Sequence, residues 1–188
     1  MVDDWTSALR QLTRKPPEEG VNNAVINVMR GSDTDRAAAL VMASLVDTIL
    51  GSAIAYALKL NQNATRRLLL HTGPLATFEA REVMVSALGL IGEETRENLV
   101  AIRRIRNCFA HAMSDINFNS PEIVRACNRL KLADKWQFFA DQAQEKKTRY
   151  KFGYACHTIY HGFMHFIGID FARGIPPQRT LPDSPILP

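Results

Sequence analysis

Residues 93–111 read Glu-Glu-Thr-Arg-Glu-Asn-Leu-Val-Ala-Ile-Arg-Arg-Ile-Arg-Asn-Cys-Phe-Ala-His, and in them Leu99, Ile102, Ile105 and Phe109 recur at steps of three and four. Such steps return to one side of an α-helix, so this stretch has a clear core-seeking face. Its other face carries Arg96, Arg103, Arg104 and Asn107. Glu93 and Glu94 open the helix, where the dipole favours carboxylates. A helix apolar on one face and polar on the other has to be buried against further helices, which makes the rest of the chain a search for partners.

Upstream, a helix is expected from about Leu75 to Leu90, with Phe78, Val83, Met84, Ala87 and Leu90 near helical spacing and Gly92 as its stop. His71-Thr72-Gly73-Pro74 breaks the chain before it, after a short helix holding Arg66, Arg67 and Leu68 to Leu70 and a turn at Asn61-Gln62-Asn63. Earlier still, Ser32-Asp33-Thr34-Asp35 supplies capping residues and first-turn carboxylates for a long helix reaching Leu60. Residues 37–60 approach a bilayer span in length, but Asp47 near the middle is costly in lipid, so a buried central helix is expected and no membrane partner. Short helices are read over residues 3–14 and 21–30, separated by Lys15-Pro16-Pro17 and closed by Gly31.

Downstream, 114–119 is a loop and Ser120-Pro121-Glu122 starts a helix with its proline in the first turn. A last long helix is expected over roughly 135–172, bent or broken near Lys146 to Gly153. Pro176, Pro177, Pro182, Pro185 and Pro188 then describe an extended tail over 175–188. No alternating strand pattern or internal repeat occurs. The fold class is all-α, a multi-helix bundle forming one domain over 1–174.

The 188 residues carry 23 Lys and Arg against 19 Asp and Glu, a net charge of +4. That excess permits nucleic-acid contact without demanding it. Cys108, Cys127 and Cys156 form no CxxC pair and are an odd number, which suits reduced thiols in the cytoplasm better than a disulfide framework. The opening Met1-Val2-Asp3-Asp4-Trp5 has neither the basic region nor the apolar run of a signal peptide.

The principal candidate site lies at the end of the quoted helix. Arg106 and His111 stand five positions apart, about 140° around a helix, so they splay to either side of one groove, and Asn107 shares a side with His111. An imidazole titrating near neutrality can move a proton, a guanidinium can hold a phosphate oxygen, and Asn107 can orient ring or substrate. This set suits metal-free cleavage of a phosphodiester by an internal 2′-hydroxyl. Capping of the last carbonyls and complementing the helix dipole explain the same residues without chemistry. Behind them, Asp47 inside its apolar helix requires a partner, which Arg81, Arg103 or Arg106 can supply. An ion pair that fixes helix register and one that positions the site arginine are both open.

His157, His161 and His165 follow at steps of four on the last helix. An adjacent pair, His157 and His161, offers two imidazoles to a transition metal, but no Asp, Glu or Cys at ligand spacing completes a set, so no metal and no cofactor are expected. Lys146, Lys147, Arg149 and Tyr150 form a short basic run with one aromatic, which with Arg103 and Arg104 makes up the candidate nucleic-acid contacts; a solvated helix face is the alternative.

The stretch from His71 through Thr-Gly-Pro-Leu-Ala-Thr-Phe-Glu-Ala to Arg81, continuing through Ser86-Ala-Leu-Gly-Leu-Ile91, resembles the mannitol operon repressor family. So do Ile102 to His111 and Phe118-Asn-Ser-Pro-Glu-Ile123, the likeness covering about 35–125. It implies an all-helical bacterial transcription regulator. The Arg-Asn-x-x-x-His segment also resembles HEPN domains, which implies a HEPN-like helical core, a homodimer and, at Arg106 and His111 across the dimer interface, a metal-independent endoribonuclease site. Three functions follow as expectations: a regulator acting through a protein partner, an RNase or RNA-binding module, and a direct DNA-binding repressor. The first leads and the third comes last, because no helix-turn-helix with an exposed basic recognition helix is visible.

Overall fold

Thr34 has extended backbone and its hydroxyl accepts the Ala37 N–H at 3.2 Å, so helix α1 (Asp35–Ala57) begins where the run of capping residues ends. It is met here in a computed structural model that describes residues 34–70, 72–134 and 144–168. Six more helices follow among those residues: α2 (Gln62–Leu69), α3 (Phe78–Ala87), α4 (Glu93–His111), α5 (Pro121–Cys127), α6 (Lys131–Asp134) and α7 (Gln144–Phe166), with no strand. The fold is an all-α multi-helix bundle. The helices read over 3–14 and 21–30, the segments 135–143 and 169–172, and the tail over 175–188 lie outside the described residues.

α1 is the hub, packing against α3, α4 and α7, while α4 also meets α5, α6 and α7. It is long and apolar enough to cross a membrane by length and composition. Here Met42, Val46, Leu50, Ala53 and Ile54 are buried against its neighbours. The face of α4 given by Leu99, Ile102, Ile105 and Phe109 is buried as its spacing predicts. Phe109 stacks at 5.0 Å on Phe118 of the following loop, and Phe118 at 5.4 Å on Phe152 of α7. These three rings join α4, the loop and α7 in one aromatic core.

Helix boundaries depart from the reading in four places. α1 stops at Ala57, because Lys59 adopts positive φ and the Leu60 N–H turns back to the Ala55 carbonyl at 2.9 Å. α3 spans only Phe78–Ala87, with Thr77 capping Ala80. Its stop is Gly89, at φ 66°, whose conformation lets Leu90 donate to Val85; Gly92 instead stands at the N-cap of α4. The expected break near Lys146 to Gly153 is absent, and α7 runs unbroken through both residues. A mid-helix glycine costs about 1 kcal/mol in propensity, an amount that buried Phe152, Ala155 and Cys156 around it offset.

Candidate functional site

Arg81 is where the loop of the His71-Thr72-Gly73-Pro74 motif meets the central helix. Gly73 sits so close to the end of α2 that a Cβ there would lie 2.4 Å from the Leu68 carbonyl oxygen. That approach lets the chain double back, with the Leu75 N–H donating to Leu68 at 2.8 Å. The carbonyls of Leu69 and Leu75 thereby converge on the Arg81 guanidinium, accepting from Nη2 at 2.9 Å and Nε at 3.0 Å. Nη1 donates to the Asp47 carbonyl at 3.0 Å and stands 2.9 Å from Asp47 Oδ1. One turn on from Asp47, Gly51 lies against the guanidinium, and a Cβ there would meet it at 3.6 Å, an ordinary van der Waals contact. Every nitrogen of Arg81 is therefore engaged.

Burial pushes the Asp47 carboxyl above the usual carboxylate range, while the Arg81 charge and hydrogen bond and the more distant Arg106 charge pull it back. Arg106 is half-buried on α4 and donates through Nη1 to Asn107 Oδ1 at 3.1 Å. Asp47, Arg81, Arg106 and Asn107 thus gather where α1, α3 and α4 meet. His111 is not part of this gathering. It is exposed at the end of α4, on the side away from Arg106. The last turn of α4 is closed from α1 instead, by Arg36 Nη2 donating to the Ala112 carbonyl at 2.9 Å.

The candidate nucleic-acid contacts divide. Arg103, with its side chain 18% exposed, lies 3.1 Å from Glu82 and 3.3 Å from Glu79, tying α4 to α3. Arg149 turns inward to Asp35 Oδ1 at 2.9 Å, while Asp35 Oδ2 accepts the Phe118 N–H at 2.7 Å. Arg104, Lys146 and Lys147 are exposed, and Tyr150 packs partly buried against the core. On α7 the rings of His157 and His161 stand 4.1 Å apart, and burial with the neighbouring His161 pushes the His157 imidazole down to about 4. At neutral pH it is uncharged. Among the described residues no group of three His, Cys, Asp or Glu is placed to hold a metal. Burial likewise pushes the Cys127 thiol up to about 12 and Cys156 well above the usual thiol range, whereas Cys108 is exposed.

Two features escaped the sequence. Asp35 reads as a first-turn carboxylate but binds the loop and α7 at once. Arg125, Arg129 and Lys131 belong to no motif in the sequence, yet they face Arg96 and Arg104 of α4 across a cleft. Its cations come from different elements, Arg125 near the end of α5 and Arg129 in the turn that follows it, so no helical spacing marks the cleft.

Fold and site together define an all-helical bundle organised around a charged cluster on its central helix. The family model for the mannitol repressor matches residues 36–159, about two-thirds of the chain, and the chain belongs to that family. The match runs past the 35–125 of the sequence resemblance, through most of α7. No curated protein and no solved structure matches the chain.

Proposed function

We propose that this mannitol repressor family member is a bacterial regulator that works through protein assembly, first with a second copy of itself across the outer face of α1, and not by reading duplex DNA. The observation that carries this is the chemistry of that face. The exposed positions of α1 are Val41, Ser44, Thr48, Ser52 and Tyr56, every one uncharged. Solvent-facing helices normally carry ions there, and depletion of charge marks the centre of an interface. Two of its hydroxyls are already satisfied within the helix, Thr48 donating to the Ser44 carbonyl at 2.8 Å and Ser52 to Thr48 at 3.3 Å. Covering Thr48 and Ser52 with protein therefore strands neither hydroxyl. Val41 and Tyr56, 41% and 43% exposed, supply apolar area along the stripe. Small side chains without charge are self-complementary, as a two-fold interface requires.

Light scattering on wild type and Thr48→Arg tests this. A dimer that falls to a monomer in the variant, with far-UV helicity unchanged, is the expected result. A wild type that stays monomeric at high protein concentration, or a variant that dimerises as well as wild type, removes the reading.

The ribonuclease alternative draws on the same geometry. Within one chain Arg106 turns to Asn107 and Asp47 while His111 faces solvent, so a shared phosphate calls for Arg106 from one copy and His111 from the other. Cleavage of total RNA by wild type and its loss in His111→Ala is what this alternative requires; equal behaviour of the two proteins takes His111 out of the chemistry.

A further inference from the structure

α4 faces the α5–α6 segment across a cleft of about 630 Å³, lined by five cations, Arg96, Arg104, Arg125, Arg129 and Lys131, over an apolar floor. Among the described residues a single carboxylate, that of Glu97, lines it. The charge balance of those five cations is uneven. Arg96 is paired with Glu93, Arg125 with Glu122 at 3.3 Å and Lys131 with Glu97 at 3.6 Å. Arg104 and Arg129 are exposed, and no described carboxylate pairs with either. Two unanswered guanidinium groups therefore face one concavity.

Their charge matches a phosphate monoester, which carries close to two negative charges at neutral pH and three acceptor oxygens. Guanidinium groups meet such oxygens with two parallel N–H donors, and this geometry favours phosphate over a spherical anion. The exposed pairs of Arg96, Arg125 and Lys131 are of the weak surface kind, so these side chains can swing onto a ligand at small cost. The volume falls in the range of small-molecule sites, and Val100, Ala101 and Ala126 offer an apolar bed for the body of a ligand. Among the described residues no aromatic side chain lines the cleft, so they offer nothing for a nucleobase to stack on.

We propose that this cleft binds a small phosphorylated molecule, with Arg104 and Arg129 gripping the phosphate. The inference goes beyond the assembly reading and does not rest on it. Arg104 lies about 200° around α4 from Arg106, on the opposite side of the helix, and the cleft shares no residue with the outer face of α1.

Calorimetric titration of the full chain at constant ionic strength tests it, with inorganic phosphate, glycerol 3-phosphate and a single-stranded RNA oligonucleotide as probes. Saturable one-site binding of both phosphate probes is expected, weakening below about pH 6 as the second phosphate proton returns. Arg104→Ala and Arg129→Ala each weaken it by about tenfold or more, with helicity intact because both side chains are exposed. Arg66→Ala, an exposed arginine of α2, leaves it unchanged. No saturation with either phosphate probe overturns the proposal, as does equal binding by the two cleft variants. Saturation by RNA alone also overturns it and gives the cleft to nucleic acid. Loss of the dimer in Thr48→Arg with phosphate binding retained separates the fate of this inference from that of the assembly reading.

Discussion

Replacing Arg81 by Met removes the one side chain that ties α1, α3 and the loop between α2 and α3 together. The volume is nearly kept, so the loss is mainly electrostatic. Three carbonyl oxygens, those of Leu69, Leu75 and Asp47, lose a charged donor, and Asp47 loses its ion pair. Breaking a buried pair costs about 3–5 kcal/mol because a charge is left uncompensated. The Arg81 side chain is 11% exposed but that of Asp47 is 31%, so water recovers part of the carboxylate, and about 3–4 kcal/mol is the expected loss. In a chain of this size that lowers the melting temperature by about 10 °C. Asp47→Asn keeps an acceptor at Oδ1 and relieves the burial of a charge, so it costs about 1 kcal/mol. Urea unfolding of wild type, both single variants and the double variant gives the four corners of a cycle. A coupling of about 1–3 kcal/mol between the two sites is expected, with denaturant slopes unchanged. If Arg81→Met costs less than about 1 kcal/mol, the guanidinium is not what holds these elements, and the reasoning fails.

Gly73→Ala forces a Cβ to within 2.4 Å of a backbone oxygen, so the loop that aims Leu69 and Leu75 at Arg81 must shift. A loss of about 2–4 kcal/mol is expected, read by the same unfolding assay, and a loss within about 0.5 kcal/mol contradicts the close approach. His157 titrates near 4 in the folded protein against 6.5 when unfolded, so the unfolded chain binds a proton first as pH falls. Stability therefore declines from about pH 6.5 down to about 4 and levels off below, by about 2 kcal/mol after allowance for solvent screening, and His157→Phe flattens that slope. Asp47, raised above its ordinary value, works in the opposite sense and only nearer the carboxylate range.

What the sequence made legible was local. Thr34 falls in the run read as capping residues and accepts the Ala37 N–H, whereas Asn61, read as a turn, and Thr77, read inside a helix, prove to be caps as well. The apolar steps of α4 specify its buried face because helical periodicity depends on nothing beyond the helix. Asp47 announced a partner through the cost of burying an acid among apolar neighbours, and Arg81 meets it. Where tertiary packing decides, sequence was silent or misleading. Gly153 and the basic run before it look like a break, but Gly153 is buried within a continuous α7, where packing of its neighbours outweighs local propensity. Ser120 stands at the N-cap of α5, yet its hydroxyl accepts from Asn117 in the loop instead. The cleft between α4 and α5 depends on two helices facing each other, which no spacing within either one encodes.

The same distinction decides how the end of α4 is to be understood. Five positions separate Arg106 from His111, and a helical wheel allows both to border one groove. Packing turns the Arg106 side of α4 toward Asp47 of α1, with Asn107 beside it accepting from the guanidinium, and leaves the far side to solvent. His111 stands seven residues beyond Arg104, which brings it to within about 20° of the same line and about 10 Å along it. The exposed stripe of α4 therefore runs Glu97, Arg104, Cys108, His111, and the guanidinium that shares solvent with His111 on its own chain is Arg104. A phosphate met by His111 alone thus has Arg104 as its nearest cation along the stripe, and Arg106 enters only if a second copy presents it. The ribonuclease alternative therefore depends on a second copy that presents Arg106 to His111, whichever face that copy docks on.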